Sequence, residues 1–177
     1  MHTVIILRAA RFAAEKHQGQ RRKNAEGSPY IYHPLDVALV LAAEGDIENP
    51  ELLAAALLHD TVEDTATTFA ELSALFGDRI AGIVREVSDD KSLPKEVRKE
   101  EQVRKAPSLS PEAKTLKLAD KICNLRDILT SPPADWPLAR KQAYFDWAKR
   151  VGAGLRGIHP ALETLFDETL ARRKELA

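Results

Sequence analysis

The stretch that most constrains this chain is Leu52 to Leu58, a run of leucine and alanine without a charge that ends directly in His59-Asp60, with Glu63 and Asp64 close behind. A run of this kind reads as a buried helix. If the helix continues through its polar end, Glu63 lies one turn past His59 and Asp64 one turn past Asp60. Three carboxylates beside an imidazole are costly to desolvate unless a cation or fixed partners hold them. Two readings stand at this point: a helix that surfaces into water, or a buried helix end built around a cation. The other segments have to decide between them.

The bulk numbers allow one domain with a real core, taken here as residues 1–177. Lys and Arg total 26 against 27 Asp and Glu, a net charge of −1, which argues against a general nucleic-acid binder. No apolar run approaches membrane-spanning length, and the N-terminus carries no cleavage-type signal. The single cysteine, Cys123, forbids an internal disulfide and suits a reducing compartment. The expectation is a cytoplasmic protein without nucleic-acid or membrane partners, its oligomeric state left open.

Apolar residues recur at helical spacing almost throughout. A first helix is expected over residues 3–17, ended by Gly19, and a polar, turn-rich segment from Gln20 to Tyr32 suits an irregular loop or a short β-hairpin near residues 23–31. His33-Pro34 opens a second helix that stops at Gly45, and Pro50 begins the helix with the acidic end. Thr68 and Glu71 have capping-box spacing, Gly77 closes that helix, and residues 78–87 are amphipathic. Pro94 starts a segment of alternating charge that suits an exposed helix, and Ser110-Pro111 starts a long apolar one. Asp120 and Asn124 interrupt its apolar pattern one turn apart. Two closing helices are expected over residues 138–155 and 159–176. The expectation is an all-α fold.

His33, His59 with Asp60, and Asp120 thus come from three helical regions, each with an apolar neighbourhood. Two imidazoles and two carboxylates suit Mn²⁺, Fe²⁺, Co²⁺ or Zn²⁺. Spacing alone does not bring them together.

The order His33, His59-Asp60, Asp120 resembles the metal signature of the HD phosphohydrolase superfamily. Further runs sharpen the likeness: Arg21-Arg22-Lys23 with PYIYHP (29–34), ALLHDTVEDT (56–65), SDDKSLPK (88–95) and KLADKICNLRD (117–127). Together they are similar to the hydrolase domain of Rel/SpoT-type alarmone enzymes, most of all the small stand-alone kind, over nearly the whole chain. The resemblance implies a single all-helical HD bundle, one Mn²⁺ ion per chain with other divalent metals able to substitute, and hydrolysis of ppGpp and pppGpp at the 3′-diphosphate. By motif match, His33, His59, Asp60 and Asp120 would hold the metal, and Glu63 and Asp64 would form the catalytic acidic pair. Arg22 would pack on the base, Lys23, Asn124 and Tyr144 would face the substrate, and Lys95 and Arg140 would contact phosphate. Ser88, Asn24 and Cys123 depart from common family choices without removing a ligand. Two rival readings share the pattern: a metal-dependent phosphatase for another nucleotide such as NADPH, and an alarmone-binding module without turnover. The intact Glu63-Asp64 pair speaks against the second. The length leaves no room for an alarmone synthetase domain.

Overall fold

The computed structural model describes residues 2–177 and contains ten α-helices and no β-strand among them. They are α1 (His2–Lys16), α2 (Tyr32–Leu39), α3 (Pro50–Leu58), α4 (Thr61–Asp64), α5 (Phe69–Phe76), α6 (Asp78–Val87), α7 (Lys95–Lys105), α8 (Pro111–Thr130), α9 (Leu138–Ala153) and α10 (Pro160–Ala171). The all-α expectation holds. No described helix is long and apolar enough to cross a membrane.

Two helices organise the rest. Asn49 caps α3 by accepting from the Glu51 and Leu52 amides, Pro50 takes its first position, and every residue from Leu52 to Leu58 is buried. Its neighbours α1, α2 and α6 cover it on different sides. Burying each leucine contributes roughly 1.5–3 kcal/mol, so the end of α3 has a fixed place in the core. Ser110 caps α8 by accepting from the Ala113 amide, and α8 packs on α2, α6, α9 and α10. Its apolar residues Leu116, Leu118, Ala119, Ile122 and Leu125 are fully buried. Helix α7 is the exposed one, with no buried residue, as its alternating charges demand.

The structure decides or departs from the sequence reading in four places. Helix α3 does not run on through the acidic residues. His59 Nδ1–H donates to the Ala56 carbonyl at 2.7 Å and Thr61 Oγ1–H to the Leu58 carbonyl at 2.7 Å, so side chains take bonds that amides of a continuing helix would make. The chain turns at His59-Asp60 and restarts as the single turn α4. Second, the polar segment ahead of α2 is an irregular loop rather than a hairpin, with one isolated bridge, Arg21 to Pro29, within it. The Asn24 side chain accepts from the Ser28 amide at 3.0 Å, which removes the next rung of a ladder. Third, His33 lies inside the first turn of α2 rather than ahead of it, and α2 continues through a π turn, Val40–Glu44, to Gly45. The capping box is also half made: Thr68 accepts from the Glu71 amide, but the Glu71 carboxylate accepts from Lys16 at 2.8 Å and ties α5 to α1.

The seam between α9 and α10 has no spare room. A Cβ on Gly152 would stand 2.2 Å from Cε1 of the fully buried Phe166 ring. Gly152→Ala is expected to cost about 1–3 kcal/mol through overpacking, read from chemical denaturation against the unchanged protein.

Candidate metal and nucleotide site

The turn after α3 delivers His59 and Asp60 to a point where α2 brings His33 and α8 brings Asp120. His33, His59 and Asp120 are 4, 6 and 8% exposed, respectively. One donor atom each from His33, His59 and Asp60 lie within 4.8 Å of one another. Asp120 Oδ1 stands 3.2 Å from His33 Nε2 and 3.9 Å from His59 Nε2, and Asp60 Oδ2 stands 3.8 and 3.2 Å from the same nitrogens. The four residues named from sequence therefore converge.

Their electrostatics fit a cation. Burial alone would raise the Asp120 carboxyl, but the Lys121 ammonium at 3.0 Å and both imidazoles outweigh it and hold the group well below the usual range. Burial likewise opposes ionisation of Asp60, and His59, His33 and a hydrogen bond from Tyr30 overcome it. With Nδ1–H bound to the Ala56 carbonyl, Nε2 of His59 is a buried atom without a hydrogen-bond partner, and exchanging its proton for a metal would free its lone pair as a ligand. An orphaned imidazole nitrogen among carboxylates is what a divalent metal would satisfy, and mixed N/O donors suit such an ion.

Glu63 and Asp64, on α4, sit in different surroundings. Glu63 accepts from the Asp89 amide at 2.8 Å, and burial pushes its carboxyl above the ordinary glutamate value. Asp64 is more open and accepts from Lys91 Nζ at 2.8 Å. Lys91 also stands 3.5 Å from Glu63 Oε2.

A cleft of about 470 Å³ opens beside the cluster and is lined by Arg22, Lys23, Tyr30, Asp64, Asn124, Asp127 and Tyr144, among others. Arg22 pairs with Asp127 and lies 5.8 Å over the Tyr30 ring. Burial pushes the Tyr144 hydroxyl up to about 12, against the lowering effect of Lys121. Asn124 donates to Asp120 Oδ1 at 2.6 Å, so it props the carboxylate that meets the imidazoles as well as lining the cleft. A second cleft of about 300 Å³ shares Lys23, Trp136 and Tyr144 with the first and adds Lys95, Arg98, Lys99 and Arg140. Arg140 lies 4.3 Å over Trp136. Of the twelve residues singled out from sequence, Arg22, Lys23, His33, Asp64, Asn124 and Tyr144 line the first cleft, Lys95 and Arg140 the second, and His59, Asp60 and Asp120 meet His33 in the cluster, while Glu63 lines neither cleft.

The family model described as HD domain matches residues 9–153. The chain belongs to the HD-domain family. This HD-domain protein is 51% identical to guanosine-3′,5′-bis(diphosphate) 3′-pyrophosphohydrolase MESH1 of Danio rerio, over 97% of this chain and 95% of that one. It is 50% identical to the protein of that name from Homo sapiens, over 95% and 94%. A solved structure of a metazoan ortholog of SpoT, reported to hydrolyze ppGpp and to play a role in starvation responses, superposes with a TM-score of 0.93 at 44% identity, covering 97% of each chain.

Sequence reasoning about this HD-domain protein passed over four contributors. Tyr30 donates to Asp60 Oδ2 at 2.6 Å and reaches Asp64 Oδ2 at 3.2 Å; burial, then the Asp60 charge, holds its hydroxyl far above the ordinary value, so it stays a neutral donor. Lys121 neutralises Asp120 under the Trp147 ring, 4.5 Å away. Asp127 holds Arg22, and Arg98 adds a cation to the second cleft. The first two carry no spacing signal, but Asp127 does: Lys117, Asp120, Asn124 and Asp127 recur every three or four residues on α8.

Because burial raises the Glu63 carboxyl in the folded state, its ionised form destabilises the fold at neutral pH, and the penalty fades as pH falls through that raised value. Glu63→Gln is therefore expected to raise the melting temperature of metal-stripped protein at neutral pH. The advantage should shrink at pH values below the ordinary glutamate pKa. Paired thermal melts at the two pH values check both parts.

Proposed function

We propose that this chain is a metal-dependent hydrolase that cleaves ppGpp and pppGpp at the 3′-diphosphate, releasing pyrophosphate and GDP or GTP, and that residues 1–177 act as one catalytic unit. The observation that carries this reading is the juxtaposition of the His/Asp cluster with a cation-rimmed nucleotide-sized cleft, in a chain half identical over its length to proteins that bear this activity in their name. The His33, His59, Asp60 and Asp120 side chains are the proposed ligands. Mn²⁺ is the favoured ion, because four protein ligands leave it open positions that a closed tetrahedral Zn²⁺ site lacks. A divalent ion there lowers the pKa of a water and neutralises phosphate charge.

The remaining work belongs to the chain's own groups. Water forms a new bond to the phosphorus next to the ribose and gives up one proton to solvent, the bond from that phosphorus to O3′ breaks, and O3′ takes a proton. Glu63, whose carboxyl is held up by burial, suits the proton donor to O3′. Asp64, on the open side between Lys91 and Tyr30, suits orienting the water. Acid–base help of this kind is worth about 10²–10⁴-fold. Lys23, Lys95 and Arg140, with Arg98 and Lys99, gather positive charge for the phosphates within a chain of net charge −1. Arg22 offers its guanidinium plane to the base, while Asn124 and Tyr144 line the space between base and metal. A cytoplasmic setting fits the single, buried Cys123.

The test is product analysis on purified protein with ppGpp, pppGpp and NADPH in the presence of Mn²⁺, Zn²⁺ or Mg²⁺. Pyrophosphate and GDP from ppGpp with Mn²⁺ are expected, and His59→Ala should lose both turnover and bound metal by elemental analysis. Undiminished turnover in metal-stripped protein, or turnover of NADPH with none of ppGpp, overturns the reading. Arg22→Ala is expected to raise KM for ppGpp far more than it lowers kcat, since base packing is present before the transition state. Steady-state kinetics on the two proteins decide this.

A further inference from the structure

Among the described residues, Tyr30 is the one whose side chain bonds to both the cluster proposed to hold metal and the carboxylate proposed to work on the water. Its hydroxyl lies 2.6 Å from Asp60 Oδ2 and 3.2 Å from Asp64 Oδ2. The Asp60 oxygen it holds is also the one nearest the two imidazoles, 3.2 Å from His59 Nε2 and 3.8 Å from His33 Nε2. A carboxylate oxygen has two lone pairs, so one bond from a phenol sets the rotamer and leaves an electron pair for an ion.

The phenol is itself held on several sides. Its ring stacks on His17, with centroids 4.8 Å apart, and the Arg22 guanidinium lies over it at 5.8 Å. Gln20 fixes both ends of the contact: its carbonyl accepts from the Tyr30 amide at 3.0 Å, and its side-chain Nε2–H donates to the Asp64 carbonyl at 2.7 Å. His17 Nδ1 in turn meets Gln20 Oε1 at 2.8 Å. Such support is more than satisfying one buried hydroxyl requires, and it sets the spacing between Asp60 and Asp64.

We propose that Tyr30 is a positioning residue for this site: its hydroxyl orients Asp60 toward the two imidazoles and anchors Asp64 to the same point, so that metal affinity and turnover depend on one O–H group, while its ring supports Arg22. The inference rests on the metal reading given above and adds to it a residue outside the ligand set. Groups that orient a metal ligand through a hydrogen bond change affinity or activity by about 10–100-fold when removed.

Tyr30→Phe removes the hydroxyl and leaves the ring on His17 and Arg22. Titration of metal-stripped protein with Mn²⁺, read by calorimetry without nucleotide, should show binding weakened about 10–100-fold. With saturating Mn²⁺, kcat for ppGpp should fall while KM stays unchanged, because Arg22 keeps its support. Tyr30→Leu should weaken metal equally and raise KM as well. A Tyr30→Phe protein that melts earlier when metal-free, yet binds Mn²⁺ and turns over like the unchanged chain, has lost only a structural bond and overturns the proposal. Equal Mn²⁺ affinity and equal kcat in the two proteins overturn it alone. An unchanged chain that binds no divalent ion overturns the metal reading and this inference together.

Discussion

The contact on which the site depends is the buried pair Lys121–Asp120. Two charges taken from water on α8 are tolerable only because each finds the other at 3.0 Å, with Trp147 over the ammonium and His33, His59 and Asn124 about the carboxylate. The pair occupies Asp120 Oδ2 and so turns Oδ1 toward the imidazoles. A carboxylate that stays ionised at this depth is a standing source of negative charge. Around it, the apolar mass of α3 and α8 fixes the two helices that carry most of the donors. The stability of the core and the readiness of the site are therefore coupled through one helix.

Much of this was legible in the sequence. The helices follow from apolar spacing and from local caps such as Ser110-Pro111, because those signals act within a turn or two of chain. Asp120 and Asn124 stand out as polar residues in an apolar helix, and the structure places Asp120 against the two imidazoles and Asn124 on Asp120. Recognition of the joint motif set gathered His33 and His59-Asp60 with them; spacing alone did not do so.

What stayed hidden is set by contacts between segments distant in the chain. Tyr30 acquires its place from Gln20, Asp60 and Asp64, and nothing local in PYIYHP distinguishes it from Tyr32, which is exposed. The end of α3 stays open in the sequence because periodicity does not show that the His59 and Thr61 side chains will capture the helix's last carbonyls. The choice between a loop and a hairpin near residues 23–31 falls to the loop at one side chain, Asn24, which takes the amide the ladder needs. Apart from Lys95, the cations of α7 read as a solvated face, which most of them are; the turn of the helix that includes Lys95, Arg98 and Lys99 faces a cleft only because α9 lies opposite.

The loop containing residues 21–29 is not free at its far edge. Asn24 donates to Ser131 Oγ at 3.1 Å, the Ala134 amide donates to the Lys23 carbonyl at 3.0 Å, and Asn24 forms a bridge with Pro133. Two segments more than a hundred residues apart are stitched into one border of the cleft. The backbone that carries Arg22 and Lys23 is therefore already ordered, and a nucleotide bound there as proposed would spend little of its free energy of association on freezing loops. Cutting those stitches would leave every charge in place and still weaken binding, through entropy alone.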